Sequence, residues 1–218
     1  MPLRLRVRPA LDDDRLLLAR FADTGDQAAF AALVDRHGPL VLGVCRRVLR
    51  DQHLADDAFQ AAFVVLARKA RRVRVGASLA SYLFGIARRV ALAARRRESR
   101  MRNAERGLRN ERQVESPQSA VRPAHSPDWD DLLRVLDEEL ERLPDKLRAP
   151  VLECFFREKT QDEAARSLGW SLSTLRRRLD RAKALLRDRL TTRGATLTAG
   201  LVAGTFAAST AMAKVSPE

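Results

Sequence analysis

The sequence contains few cysteines and few histidines, which limits the metal and nucleophilic chemistry that it can support. Among its 218 residues there are two cysteines and three histidines. Cys45 and Cys154 form no CxxC pair and lie in apolar helical patterns, so we interpret them as buried, reduced thiols. Because the histidines are scattered along the chain, neither a zinc site nor a catalytic triad is predicted, and no cofactor is expected.

Residues typical of strands and turns are also scarce. The chain has only 10 glycines and 9 prolines, and alternation of apolar and polar residues with a period of two is nearly absent. Apolar residues instead recur at the 3.6-residue spacing of helices. The N-terminal stretch MPLRLRVRPALDDDR lacks the continuous apolar run of a signal peptide. These patterns predict an all-α protein that works in the cytoplasm.

Acidic residues are too few to balance the basic ones. The chain has 28 Asp and Glu against 41 Lys and Arg, which gives a net charge of +13. Most of the basic residues are arginines, whose guanidinium groups bind phosphates and the edges of guanine. The composition therefore favours a nucleic-acid partner. An anionic membrane surface, or a structural role like that of ribosomal proteins or histones, would fit the same charge.

The helical patterns fall into two segments with a stretch of different composition between them. Residues 12–97 and residues 131–193 show apolar periodicity, which predicts two small helical domains. Between them, residues 98–130 hold three prolines and few large apolar residues, so we interpret them as a flexible linker. Residues 1–11 are an N-terminal extension, and residues 194–218 are a C-terminal tail.

The tail begins with an uncharged stretch, residues 194–213, that is long enough to span a bilayer. Ala, Thr, Gly and Ser dominate it, however, and this composition makes the free energy of membrane insertion marginal. Three interpretations stay open for the stretch. It is a weak membrane anchor, a helix that packs on the two domains or on a partner, or a disordered extension.

The stretch TQDEAARSLGWSLSTLRRRLDRAKALL, residues 160–186, has the signals of two helices with a tight turn between them. Thr160 and Glu163 have the spacing of a capping box at the start of the first helix. Gly169 can adopt the left-handed conformation that ends a helix, and Ser171 is a favourable N-cap for the next helix. A short helix, a glycine turn and a longer basic helix predict a helix-turn-helix motif.

The second of these helices has an apolar face and a basic face. At about 100° per residue, the apolar face consists of Leu172, Leu175, Leu179, Ala182 and Leu186. The opposite face and its flanks carry the candidate DNA contacts, which are Ser173, Thr174, Arg176, Arg177, Arg178 and Arg181. Arginines at this spacing suit a major groove, in which central side chains reach base edges and flanking ones reach phosphates. A solvated cationic face is the alternative.

The segment LERLPDKLRAPVLECFFREKTQDEAARSLGWSLSTLRRRLDRAKALLRDRL resembles region 4 of sigma-70 family initiation factors of the extracytoplasmic-function (ECF) type. Regulators of the LuxR type share part of this pattern. Upstream, LRDQHLADDAFQAAFVVLARKA is similar to sigma region 2.2, and SLASYLFGIARRVALAARRR is similar to regions 2.3 and 2.4. Because two modules occur in the expected order, the chain is identified as a member of the ECF group. A LuxR-like helix-turn-helix regulator that does not act as a sigma factor is the alternative.

The resemblance implies that the chain binds core RNA polymerase and promoter DNA, with an anti-sigma factor as a further candidate partner. Region 2 would bind polymerase and the minus-10 element, and region 4 would bind the minus-35 element through the basic helix. The residues implied in polymerase binding are Asp56, Asp57, Gln60 and Phe63. The residues implied in minus-10 binding are Arg72, Arg74, Ser78, Tyr82, Arg88 and Arg89.

The sequence departs from the family pattern at two positions near the minus-10 segment. Arg89 stands where the family commonly has an asparagine, and Ala93 stands where it commonly has an aspartate. Both departures bear on how the minus-10 element would be read. No catalytic constellation and no phosphate-binding loop accompanies the two modules in the sequence, so the predicted role is transcription initiation without enzymatic activity.

Overall fold

The computed structural model describes residues 14–73, 77–110 and 129–193. These residues form helices and no strand, which confirms the predicted all-α class. The helices are α1 (Asp14–Thr24), α2 (Gln27–Val48), α3 (Gln52–Lys69), α4 (Leu79–Asn110), α5 (Trp129–Arg142), α6 (Asp145–Val151), α7 (Gln161–Leu168) and α8 (Leu172–Thr192). A 3₁₀ turn, Ala70–Arg72, follows α3, and a π-helical turn, Leu152–Phe156, follows α6.

Helices α1 to α4 form the first domain, in which α2 is the central element. Asp26 and Asp51 cap α2 and α3, because their carboxylates accept hydrogen bonds from Ala29 N at 3.1 Å and Leu54 N at 2.9 Å. Helix α2 packs against α1, α3 and α4. The fully buried side chains at these contacts include Leu33, Val41, Val44, Leu66, Leu83 and Phe84.

Among the described residues, α2 is the helix that has the length and composition of a membrane span, with a mean hydropathy of 1.3. Within the most apolar 18-residue stretch of this helix, 44% of the residues are buried inside the protein. Because α1, α3 and α4 cover its apolar face, we interpret this hydropathy as that of a core helix. The uncharged stretch 194–213 lies outside the described residues.

Helix α4 continues beyond the predicted end of the first domain. The sequence predicted a flexible linker from Glu98, but α4 extends to Asn110. No proline occurs in the linker before Pro117, so a helix is not interrupted there. Glu98 also pairs with Arg102 one turn later, at 3.0 Å, which supports the extension. The next part of the predicted linker, residues 111–128, lies outside the described residues.

Helices α5 to α8 form the second domain. Its core is made mainly of leucines, among them Leu140, Leu152, Leu175, Leu179 and Leu186. Cys154 in the π-helical turn and Cys45 in α2 are buried and free. Burial raises the pKa of each thiol to about 11, so both are protonated at neutral pH. The prediction of buried, reduced cysteines is confirmed.

The two domains are in contact, although the sequence predicted two modules joined by a flexible linker. Helix α5 packs against α2, and α6 packs against α4. Arg47 of α2 and Asp137 of α5 form a two-point ion pair, with N–O distances of 2.6 and 3.0 Å. Because these two residues are 90 positions apart, no local sequence pattern predicts their contact.

Candidate nucleic-acid and polymerase-binding surfaces

The turn between α7 and α8 is built as the sequence predicted. Glu163 N donates to Thr160 Oγ1 at 3.3 Å and Thr160 N donates to a Glu163 carboxylate oxygen at 3.0 Å, which completes the capping box. Gly169 has a φ of +67°, in the left-handed region, and ends α7. Ser171 Oγ accepts a hydrogen bond from Thr174 N at 3.3 Å and caps α8. The helix-turn-helix prediction is confirmed.

Helix α8 separates an apolar face from a basic face, as predicted. The buried face, which packs against α5, α6 and α7, contains Leu175, Leu179, Ala182 and Leu186. Leu172, at the start of the helix, is only partly buried. The exposed members of the predicted DNA surface are Ser173, Arg176, Arg177 and Arg181, and the partly buried members are Thr174 and Arg178. The leucines thus fix the helix on its domain while the arginines stay at the surface.

Two arginines of this surface are held by neighbouring side chains. Arg178 Cζ lies 4.0 Å from the centre of the Trp170 ring, which is a cation–π contact. Arg176 Nε donates to Gln161 Oε1 at 3.0 Å. These contacts were missed from the sequence because Trp170 and Gln161 precede α8. They orient the flanking arginines before any DNA is bound.

The predicted polymerase surface lies on α3, but one of its four residues is buried. Asp57 and Gln60 are exposed, and Asp56 is partly buried. Phe63 is only 5% exposed, and its ring packs edge-on against that of Phe59, with centroids 5.1 Å apart. Phe63 therefore lies on the face of α3 that packs into the domain core, whereas the other predicted contacts lie nearer the surface.

A different apolar side chain takes the exposed position on this helix. Val64 is 47% exposed. It follows Gln60 by about one turn and Asp57 by about two, so the three side chains share one face of α3. The sequence analysis missed Val64 because a valine next to an aromatic residue is a stronger candidate for the core than for the surface.

The residues predicted to bind the minus-10 element differ in their exposure. Arg72 in the 3₁₀ turn and Arg89 on α4 are exposed, whereas Tyr82 is partly buried against the core. Ser78 is 7% exposed, and its Oγ accepts a hydrogen bond at 3.0 Å from the backbone N–H three residues later. In this structure the Ser78 hydroxyl caps α4 and is not presented at the surface. Arg74 lies outside the described residues.

Arg88 also differs from its predicted position, since it faces the second domain. Its guanidinium group pairs with the carboxylate of Glu141 on α5, and its side chain is 14% exposed. Burial lowers the pKa of Arg88, although the carboxylates of Glu138 and Asp137 favour its charged form. In this arrangement the second domain covers a residue that the sequence assigned to promoter DNA.

A cleft beside the 3₁₀ turn brings arginines next to an aromatic ring. It has a volume of about 540 Å³, and its lining includes Arg68, Arg71, Arg72 and Phe21. Arg71 Nε donates to Ala22 O at 2.9 Å, which holds one of the three guanidinium groups in place. Guanidinium groups beside an aromatic ring suit single-stranded nucleic acid, because cations follow the phosphates and rings stack on unpaired bases.

A group of buried charges connects α1 and α2 with the chain that follows the π-helical turn. Asp14 pairs with His37 Nε2 at 2.9 Å and with Arg36 at 2.6 Å. Arg157 lies 3.7 Å from Asp14 and 2.9 Å from Glu153. An ionised carboxylate only accepts hydrogen bonds, so His37 Nε2 carries the proton and donates it to Asp14.

The protonation states of this group follow from burial and from its charges. Burial tends to raise the pKa of Asp14. The hydrogen bond from His37, the charge of Arg157 and the hydrogen bond from Arg36 outweigh this and lower the pKa well below its usual range. Burial lowers the pKa of His37, and the Asp14 carboxylate offsets this only in part. At pH 7 Asp14 is therefore ionised and His37 is neutral. The sequence analysis missed this pair because its members are 23 residues apart.

Comparison with protein families matches both domains. The family model described as Sigma-70 region 2 matches residues 33–101, and the one described as Sigma-70, region 4 matches residues 133–186. The first match includes all of α3, and the second includes all of α7 and most of α8. The matches therefore contain the exposed surfaces of α3 and α8 described above.

Several similar proteins bear related names. The ECF RNA polymerase sigma factor SigK of Mycobacterium tuberculosis is 30% identical over 187 residues, which cover 83% of this chain and 95% of SigK. The ECF RNA polymerase sigma factor RpoE of Cereibacter sphaeroides is 29% identical, with coverage of 80% and 93%. The ECF RNA polymerase sigma factor SigE of Mycolicibacterium smegmatis is 30% identical, with coverage of 79% and 66%.

Solved structures with a similar sequence include CnrH in complex with the cytosolic domain of CnrY. It is 26% identical, with coverage of 83% of this chain and 99% of that chain, and the TM-score is 0.36. Another is the sigma factor RpoE in complex with the anti-sigma factor NepR from Bartonella quintana, at 21% identity and a TM-score of 0.32. The match to RpoE covers 74% of this chain and 96% of that chain.

Proposed function

Because the chain belongs to the ECF group of sigma-70 family RNA polymerase sigma factors, we propose a division of its promoter and polymerase contacts between the two helical domains. As a member of this group it directs promoter recognition and transcription initiation with RNA polymerase. In the proposed division the first domain binds core polymerase and the minus-10 element, and the second domain binds the minus-35 element. The exposed basic face of α8, mounted on a buried leucine face, is the observation that carries this proposal.

The minus-35 contact is proposed for the N-terminal half of α8. Arg177 and Arg181 are exposed and form no ion pair or hydrogen bond with the described residues, so their guanidinium groups are available to base edges. Arg176 and Arg178 are already held at the flanks by Gln161 and Trp170, and they reach phosphates. Ser173 and Thr174, at the start of the helix, complete this surface.

The minus-10 contact is proposed for the 3₁₀ turn, the cleft beside it and the exposed side of α4. Arg72 and Arg89 are exposed, and Tyr82 lies between them in the sequence with its ring partly accessible. Arg68 and Arg71 extend this basic surface into the cleft. Cations around a cleft with an aromatic wall support the binding of melted, single-stranded DNA.

The polymerase contact is proposed for the exposed face of α3. Asp57 and Gln60 supply polar groups, Asp56 lies at the edge, and Val64 supplies the apolar contact that the sequence assigned to Phe63. Protein interfaces combine an apolar centre with a polar rim, and this face has both.

Sigma factors are regulators without enzymatic activity, and we propose that this chain likewise supplies promoter choice while polymerase performs the chemistry. We place it in the cytoplasm, together with RNA polymerase. Binding of an anti-sigma factor stays a prediction. The three interpretations of the stretch 194–213 also stay predictions, because that stretch lies outside the described residues.

A run-off transcription assay with core RNA polymerase tests the proposal. The chain should produce a transcript from its cognate promoter, whereas core polymerase without it should not. A regulator of the LuxR type would bind the same DNA without initiating transcription with the core enzyme alone. Because region 2 is matched at residues 33–101, and a LuxR-type regulator does not require that module, we expect the sigma-factor outcome.

A further inference from the structure

A carboxylate lies within the basic face of α8. Asp180 is exposed, as are Arg177, which precedes it by one helical turn, and Arg181, which follows it directly. At about 100° per residue, Asp180 falls roughly 60° from Arg177 around the helix, whereas the buried Leu175 and Leu179 lie on the opposite side. The carboxylate therefore projects on the side of the arginines that are proposed to contact the minus-35 element.

The neighbours of Asp180 on α8 leave its carboxylate without an ion pair. A helical side chain can meet those three and four positions away, which here are Arg176, Arg177, Lys183 and an alanine. Arg176 Nε instead donates to Gln161 Oε1 at 3.0 Å, and Lys183 Nζ lies over an aromatic ring, 5.4 Å from its centre. Within the described part of the chain, the Asp180 side chain forms no ion pair or hydrogen bond.

A carboxylate at this place does not help α8 to bind DNA in general, because it repels phosphates. It can, however, distinguish bases in the major groove. There the N4 amino group of cytosine is a hydrogen-bond donor, whereas guanine presents N7 and O6 and thymine presents O4, all of which are acceptors. A carboxylate accepts a hydrogen bond from cytosine and is repelled by the acceptors of guanine and thymine. Such a combination of one attraction with several repulsions produces specificity.

We propose that Asp180 is a specificity-determining residue, which selects a cytosine in the minus-35 element by accepting a hydrogen bond from the N4 amino group. The inference rests on the proposed function of α8 and names a base that its surface reads. Asp180 follows Arg177 by about 4.5 Å along the helix axis, which is close to the spacing of roughly 3.4 Å between base pairs. The cytosine should therefore adjoin the base that Arg177 contacts, and arginine most often contacts guanine.

Binding-site selection with the full-length chain and core polymerase tests this assignment. The DNA is a pool of duplexes with a randomised segment, and the wild type is compared with Asp180→Ala and Asp180→Asn. The wild type should select cytosine at one position of the minus-35 element. Asp180→Ala should reduce that preference at least about fivefold, because the acceptor and the repulsion are both removed. Asp180→Asn should shift the preference towards adenine, whose N6 and N7 match a carboxamide group.

Asp188→Asn provides the matched control. Asp188 is exposed on the same face of α8, about two turns beyond Asp180 and further from the N-terminal half of the helix, which carries the proposed base contacts. The change removes the same charge as Asp180→Asn does. It should leave the base preference at every position within about twofold of the wild type. Urea unfolding checks that each variant keeps its fold, and the midpoints should be similar because both aspartates are exposed.

A second measurement separates attraction from repulsion. Four duplexes are made that differ only at the position where the wild type selects cytosine, and their affinities for the polymerase holoenzyme are measured by fluorescence anisotropy. For Asp180→Ala the four affinities should converge to within about threefold, and the duplexes with guanine or thymine should bind more tightly than they do to the wild type. Asp188→Asn should keep the wild-type order of the four duplexes.

Four outcomes would overturn the inference. The first is a base preference that neither change at Asp180 alters, and the second is an equal effect of Asp180→Asn and Asp188→Asn, which would reflect charge alone. The third is wild-type selection of a base other than cytosine at the altered position. The fourth is a change confined to the base that Arg177 reads, since Asp180 would then only position that arginine.

Failure of the proposed function gives a different result. A wild-type holoenzyme that selects no sequence would contradict both the minus-35 role of α8 and the role of Asp180. A wild-type holoenzyme that selects a sequence, with a preference that Arg177→Ala relaxes and both Asp180 variants leave unchanged, would refute only the role of Asp180.

Discussion

The guanidinium carbon of Arg178 lies 4.0 Å from the centre of the Trp170 ring, so a residue outside α8 sets the position of an arginine on its basic face. Its neighbour Arg177 makes no such contact with the described residues and projects from the exposed side of the helix. The side chains of these two adjacent arginines therefore differ in how firmly they are held and in the direction in which they point. We expect them to differ in what they contact on DNA as well.

Replacing Arg177 or Arg181 by alanine should weaken promoter binding by about 1–3 kcal/mol and relax the choice of sequence at the bases they contact. The reason is that an exposed central guanidinium group reads base edges in the major groove. Binding-site selection with the polymerase holoenzyme measures both effects. Loss of affinity without any change in the selected sequence would contradict the assignment.

Replacing Arg178 by alanine should weaken binding to all duplexes to a similar degree and reduce the salt slope by about one, because Arg178 is assigned to a phosphate. Trp170→Leu provides a matched comparison, since it removes the ring and keeps the charge. It should leave the salt slope unchanged and lower affinity less than Arg178→Ala does. If Arg178→Ala altered sequence choice as Arg177→Ala does, the distinction between base and phosphate contacts would be wrong.

On α3, the double change Asp57→Ala with Gln60→Ala, or Val64→Asp alone, should weaken binding to core polymerase without lowering the free energy of unfolding. All three side chains are exposed, so their loss removes surface contacts only. Phe63→Ala should instead destabilise the first domain by about 3–5 kcal/mol, because its ring is buried. Pull-down with core polymerase and urea unfolding separate the two effects. Unchanged pull-down by the exposed variants would exclude this face as the polymerase contact.

The stability of the chain should fall as the pH drops below about 6.5, the usual pKa of an unfolded histidine. Burial lowers the pKa of His37, so below that pH the unfolded state takes up a proton that the folded state does not. The loss reaches at most about 1.4 kcal/mol per pH unit for one group. Asp14, Arg36, Arg157 and Glu153 surround this histidine. The lowered pKa of Asp14 keeps its carboxylate ionised between pH 7.5 and 5.5.

His37→Gln removes the titrating group and keeps a hydrogen-bond donor near Asp14. Its urea midpoint should therefore vary less between pH 7.5 and 5.5 than that of the wild type. Asp14 adds no slope in this window, because its pKa is lowered and its contribution is lost only in more acidic solution, below the usual pKa of an unfolded aspartate. Parallel pH profiles for the two proteins would show that His37 is not the source of the dependence.

A chain that ends at Arg193 should fold, bind core polymerase and initiate transcription in vitro. Arg193 must be kept, because it pairs with Glu138 at 2.8 Å and with Glu139 at 3.0 Å and so ties the end of α8 to α5. An inactive truncated chain would mean that residues 194–218 belong to the sigma fold. Recovery of the full-length chain alone in a membrane pellet would favour the membrane-anchor interpretation of the tail.

Much of the local structure could be predicted from the sequence, because it depends on residues that are close together in the chain. The capping box at Thr160, the left-handed Gly169 and the cap at Ser171 were predicted because each depends on residues within a few positions of one another. The apolar face of α8 was predicted in the same way, since helical spacing places its leucines together. Both domains and the presence of a helix-turn-helix could therefore be read without a structure.

Tertiary packing decided what each side chain faces. Phe63 and Ser78 lie on faces that only the assembled first domain defines, so one is core and the other is a cap. The pairing of His37 with Asp14, and of Arg88 with Glu141, joins residues distant in the chain. Helical periodicity predicts which side chains share one face of a helix. It does not predict which other helix packs against that face. The contact between the domains, and the ion pair that covers Arg88, therefore followed only from the three-dimensional arrangement.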